Sequence, residues 1–300
     1  MPVLKAIIFS LFISAFIVSC GPDNTPKDNL ASGTIDISAD ETYKPVIDEQ
    51  LKVFDSSYPD AKITVHYKSE SECFADYLNR KARIILVTRE LSAEEKKIAE
   101  QNLIVPSSLP LAEDAVAIIV NNSAPDSVLG LDEIKGILTG VYKKKYTVVF
   151  DNQGSSTVRY ITDSLLKGQK LGSNVFAAKG NAAVVDYVTK NPDAIGFVGL
   201  GYVSDPHDTT NSGAFISSVR VIAIQNDTAH RSFQPYQAYI ALKTYPLVRN
   251  LYYINAESYP GLGTGFANFM VQARGQLIFA NAHLFPLRMN IVIRDAEINH

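Results

Sequence analysis

The sequence predicts an α/β protein folded as two lobes, each a mainly parallel sheet flanked by helices. Short apolar runs alternate with amphipathic stretches from residue 33 onward, the order expected when strands and crossover helices follow one another. Several runs, such as AVAIIV at 115–120 and AIGFV at 194–198, are continuous rather than alternating, as in strands covered on both faces. The tail beyond residue 236 is too short for a domain of its own. It is therefore expected to return to the first block, leaving the lobes joined by two crossing strands.

The elements follow in order. GTIDIS at 33–38 reads as a first strand, and residues 44–56 place Val46, Ile47, Leu51 and Phe54 at helical spacing before the Tyr58-Pro59 break. KITVHY at 62–67 alternates as a second strand, completing one βαβ unit. A helix over 72–80, a strand RIILVT at 83–88 and a charged helix over 92–101 continue the pattern. The last opens with Ser92 and carries Glu95 three residues on, a capping box. After the strand at 115–120, a polar stretch with Pro125 opens a second block: helix 131–138, strand 146–150, helix 158–166, and a segment at 184–190 before strand 194–198, the block closing near the VRVIAI run at 219–224. The tail reads as strands at 239–242 and 251–254 and one long helix over 265–279. Residues 33–120 with 225–300 are assigned to lobe 1, and 121–224 to lobe 2.

The first residues have another purpose. Lys5 precedes an apolar run over 6–18, followed by Ser19-Cys20-Gly21. Thirteen residues are too few to cross a hydrocarbon core of about 30 Å as a helix, so a cleaved leader (1–20) is expected. Ile17-Val18-Ser19-Cys20 resembles a bacterial lipobox, which implies a lipid on Cys20 and a place in the cell envelope, on its periplasmic or extracellular face. Residues 21–32 (GPDNTPKDNLAS) are polar and rich in turn formers, as a tether would be.

Composition narrows the function. A net charge of −3 with scattered basic residues, the KKK run at 143–145 aside, offers no surface for nucleic acid. With Cys20 spent on lipid, Cys73 has no partner for a disulfide and reads as a small buried hydrophobe. The five His residues form no i, i+3 or i, i+4 pair, so no metal site is expected. No phosphate-loop, dinucleotide or Gly-x-Ser-x-Gly motif occurs, and no cofactor is expected.

The stretch FDNQGSSTVR at 150–159 is the most informative. A strand ends at Phe150 and a helix follows, and between them a Gly and three hydroxyl residues gather side-chain and helix-start donors at one point. That suits an anion, with Arg159 adding a cationic fork if it turns toward the loop. The same residues serve equally well as a helix cap and a tight turn.

Gly154-Ser155-Ser156-Thr157 resembles the Gly-Ser-x-Thr segment of phosphate ABC transporter substrate-binding proteins. LPLAEDAVAIIVN at 109–121, LDEIKGILTG at 131–140, NPDAIGF at 191–197, and Tyr245-Pro246-Leu247 before Leu251-Tyr252 are similar to that family's landmarks and fall in its order. The resemblance implies the two-lobed periplasmic-binding-protein-like fold. It also implies a monomeric, non-enzymatic receptor that captures a small oxyanion, most simply phosphate, and delivers it to a membrane permease.

Carried over residue by residue, the resemblance nominates Glu41 and Thr42 with Asp40 beside them, Thr88 and Arg89, Asp151, and Ser155, Ser156, Thr157 and Arg159. Arg89 is the leading candidate for balancing ligand charge; its alternative is a surface ion pair with Glu90. Three positions depart from the family: Asp151 and Gln153 stand where an Arg and an Asp are common, and Thr88 stands where an Asp is common. A carboxyl that accepts a proton separates protonated phosphate from sulfate, so either Asp151 serves from a new position or the specificity differs. A receptor or sensor for another solute, and a surface-anchored phosphoester hydrolase, are the alternatives.

Overall fold

The computed structural model describes residues 28–205, 214–226, 228 and 230–290. The expected leader with Cys20, and the tether as far as residue 27, lie outside the described residues. The end of the tether is corrected: Asp28 takes both terminal nitrogens of Arg83 at 3.0 Å and the Leu262 N–H at 2.8 Å. Asp28, placed in the tether by the sequence reading, is thus held against the first lobe.

In the first lobe β1 (Gly33–Asp40), α1 (Lys44–Ser57), β2 (Ala61–Lys68), α2 (Glu70–Leu78), β3 (Ile84–Val87) and α3 (Ala93–Gln101) follow the expected order. β1 pairs in parallel with both β2 and β3. All four residues of β3 are buried, which explains an IILV run without alternation. The capping box at Ser92 forms as expected, and Ser69 and Glu72 make a second one at the start of α2.

β4 (Ser107–Val120) is longer than the apolar run that announced it. Its first part was hidden by Pro110, which the sheet accommodates at a register shift opposite Leu251 and Tyr252, where a missing N–H is tolerated.

The second lobe contains β5 (Val128–Leu129), α4 (Leu131–Thr139), β6 (Thr147–Phe150), α5 (Ser156–Tyr160) running into a π-type turn at Ile161–Leu166, β7 (Val175–Ala177), α6 (Asn181–Lys190) and β8 (Ala194–Gly199). β9 (Arg220–Val221), β10 (Ala223–Asn226), β11 (Arg231–Phe233) and α7 (Gln237–Ala241) follow. α7 corrects the strand expected at 239–242: a short apolar run does not distinguish the two. Here Ile240 donates back to the Tyr236 carbonyl, and Lys243, at φ +57°, ends the turn.

The chain returns through β12 (Val248–Asn255), α8 (Leu262–Val271), α9 (Ala273–Asn281) and β13 (Phe285–Pro286). The single long helix expected there is two, broken at Gln272. Gly275 permits the corner, since a Cβ there would lie 2.4 Å from the Phe269 carbonyl oxygen.

The main sheet runs β2-β1-β3-β12-β4-β8-β6-β7. β12 lies antiparallel between β3 and β4, and β4 continues into the second lobe against β8. The two-lobed architecture shows in separate cores. In the first lobe, Ile37, Ile47, Phe54, Phe266 and Phe279 pack on one face of the sheet and Phe74, Tyr77, Ile85 and Val87 on the other; the second lobe gathers Ile118, Val148, Phe150 and Phe197. Phe233, Ile240, Tyr245 and Leu247, expected with the first lobe, pack into the second lobe's core. No helix among the described residues is long and apolar enough to cross a membrane.

Candidate functional site

The lobes meet where β1 and β6 end. After β1, Asp40 turns back to accept the Thr42 N–H at 3.0 Å, which forms one tight turn before α1. After β6, Ser155 caps α5 by accepting the Val158 N–H at 3.1 Å. Capping and exposure to a ligand were alternatives for this loop, and capping takes Ser155. Ser156 and Thr157 are completely buried and face the other lobe.

They face Arg249. This side chain lies in β12 directly opposite Asp114 of β4, two positions from the buried Leu251 and in the same inward register. Its Nε reaches Asp114 Oδ2 at 3.0 Å, and Nη1 donates to Ser156 Oγ at 3.0 Å and Thr157 Oγ1 at 3.3 Å. Arg249 and Asp114 are 2% and 1% exposed, so the charge is shielded from water and strongly felt by its neighbours.

Three buried oxygens around this point have no hydrogen-bond partner among the described residues, Asp40 Oδ2, Thr42 Oγ1 and Asp151 Oδ1, while Arg249 Nη2 lies 3.0 Å from Asp114 Oδ2 in their ion pair. Each such unpartnered oxygen costs about 1–3 kcal/mol, which makes the arrangement poor for stability and apt for binding. Burial, then the charge of Glu70, push the Asp40 carboxyl up to about 7 against the pull of Arg249. Burial also raises Asp151, with the Ser155 hydroxyl opposing it. Burial raises Asp114 too, against the Arg249 guanidinium. The cluster thus offers a cation, hydroxyls and one carboxyl, that of Asp40, able to carry a proton near neutral pH.

Other nominated residues have different partners. Glu41 reaches across the cleft to the Asn181 side-chain amide at 2.7 Å and its N–H at 3.2 Å, and also receives the Tyr202 hydroxyl. Thr88 and Arg159 are both engaged by Glu70: Oε1 accepts the Thr88 N–H at 2.8 Å and hydroxyl at 2.5 Å, and Oε2 accepts Arg159 Nε at 2.6 Å. Arg89 is corrected as the balancing cation. It makes a fork with Glu95 at 2.6 and 2.9 Å and stacks over Phe74 at 3.8 Å. Its ion-pair partner is Glu95, not Glu90, which offers only its carbonyl. Cys73 is free and buried, and burial pushes its thiol up. Among the described residues no group of three His, Cys, Asp or Glu could hold a metal.

Sequence reading missed Arg249, Asp114, Glu70 and Asn181. The first two left a signal. A charged residue interrupts the apolar register of each strand, with opposite signs, and buried charges of that kind are rarely unpaired.

Known proteins agree with this architecture. The phosphate-binding protein PstS of Pseudomonas aeruginosa is 23% identical over 287 residues, 87% of this chain and 85% of the relative. PstS of Borreliella burgdorferi is 22% identical, covering 91% and 95%. A Clostridium perfringens protein solved with bound phosphate superposes with a TM-score of 0.72 at 22% identity, over 85% of this chain and all of the other. A family model for the PBP superfamily domain matches residues 24–274, and the chain belongs to that superfamily.

Proposed function

We propose that this protein is the substrate-binding protein of an ABC transporter and that its ligand is phosphate. The observation that carries the reading is the enclosed cluster between the lobes, in which Arg249, Ser156 and Thr157 surround buried polar atoms left unpartnered among the described residues. The Arg249 guanidinium supplies positive charge and the Thr42 hydroxyl a donor, with the N–H groups that open α5 beside them. Asp40 and Asp151 supply carboxyls raised by burial, and a carboxyl that accepts the ligand's proton favours protonated phosphate over sulfate. Relatives named for phosphate binding support the same ligand. Nothing in the cluster is arranged as an activated nucleophile, which favours capture over hydrolysis. Closure of the lobes then presents the loaded form to the permease. The lipobox-like Cys20 would tether the protein to the envelope as a monomer.

Titration calorimetry and thermal unfolding of ligand-stripped protein against phosphate, sulfate, molybdate, citrate and sugars test this. Phosphate at about 100 times its dissociation constant should raise the midpoint by roughly 5–10 °C, and sulfate should not. A response to another solute with none to phosphate overturns the ligand. Retention of lipid by Cys20→Ala overturns the anchor.

A further inference from the structure

Glu70 begins α2 in the first lobe and is 2% exposed. Such a carboxylate needs partners, and it draws them from two elements on opposite sides of the cleft. Thr88, at the end of β3 in its own lobe, supplies an N–H and a hydroxyl. Arg159 in α5 of the other lobe supplies Nε at 2.6 Å, and its Nη2 also donates to Thr88 Oγ1 at 2.6 Å. Burial works against the charge of Glu70, but the Arg159 and Thr88 bonds outweigh it and hold the carboxyl below its ordinary range. Beside this contact the Ser71 N–H meets the Gly154 carbonyl at 3.3 Å across the same gap. A Cβ on Gly154 would lie 2.4 Å from Ser71 Oγ, so the lobes touch here backbone to backbone.

We propose that Glu70 and Arg159 form a latch between the lobes, holding the closed form without touching the ligand. Thr88 and Arg159, nominated from sequence as ligand contacts, belong to this latch, and Glu70 is a positioning residue. The inference rests on the receptor reading only for its link to affinity. An ion pair that forms only when two bodies meet shifts their equilibrium by its own free energy, whatever lies between them. The latch should therefore scale affinity for every ligand of the site by one common factor, in contrast to a ligand contact, which alters discrimination.

Glu70→Gln, Arg159→Gln and the double variant are compared with the parent by phosphate and sulfate calorimetry and by small-angle X-ray scattering with and without phosphate. Each single change should weaken phosphate by about tenfold, and the double should be no weaker than the poorer single. The phosphate-to-sulfate ratio should stay constant, and the ligand-free radius of gyration should rise. Unchanged affinity, additive losses, or a changed ratio overturns the latch. If the parent binds no phosphate, the receptor reading fails and scattering decides the latch: a larger radius in the variants supports it, and an identical radius overturns it.

Discussion

The enclosed cluster around Arg249 and the contacts at its rim use the same kinds of residue and treat them in opposite ways. At the rim, Glu41 and Glu70 are saturated by partners from the other lobe. In the cluster, Asp40, Thr42 and Asp151 each keep a buried polar atom unpartnered among the described residues. Saturated carboxylates contribute to holding two bodies together; unsatisfied ones cost free energy until something binds them. On the function and latch proposed above, cross-lobe closure and ligand recognition would lie in neighbouring but separate sets of side chains, and that separation can be attacked experimentally.

The largest effect should come from Arg249→Ala. It removes the cluster's cation and leaves Asp114 buried without its partner, a loss of about 3–5 kcal/mol in unfolding free energy, and calorimetry should detect no phosphate binding. If binding persists, the cluster is not the site. Next is Asp40. Because its folded value is raised to about 7 from 3.8, the folded state retains that proton while the unfolded chain releases it. Stability is therefore unaffected below about pH 4 and falls as pH rises through 7, by on the order of 4 kcal/mol if the whole shift is expressed. Chemical denaturation of Asp40→Asn across that range should lack this part of the slope; parallel curves for variant and parent would rule it out.

Gly199→Ala probes closure from inside the cluster. Its Cβ would meet Thr42 Cγ2 at 2.3 Å, so the lobes cannot close fully, and phosphate should bind about tenfold more weakly with little change in ligand-free stability. Wild-type affinity would mean that Thr42 is free to move aside. The smallest effect belongs to Arg89→Ala. Losing a partly exposed pair with Glu95 should cost less than about 1 kcal/mol and leave phosphate affinity within about twofold. A larger loss of affinity would restore the role the sequence suggested for it.

Much of this was legible beforehand because it is local. The βαβ rhythm, the capping box at Ser92 and the strand-to-helix loop at 151–157 are determined by propensity and pattern over a few residues. Ser156 and Thr157 were nominated from that loop's pattern and Thr42 and Asp151 from the family resemblance, and the structure brings all four to the cluster. Elements whose form depends on distant packing were misread: the run at 239–242 folds as α7, and the helix expected over 265–279 breaks where Gly275 meets Phe269.

By itself, then, the sequence determined the two-lobed α/β class, because periodicity and turn chemistry act between near neighbours; the loops that face the cleft were named by the family resemblance. Only the tertiary structure decided which charges meet. Arg249 lies 135 residues from Asp114 and 93 from Ser156, and Arg159 lies 89 from Glu70. No local preference encodes such pairings. They arise because β12 is inserted beside β4 and the lobes close over it, and a buried charge must then find its partner wherever the fold has placed one.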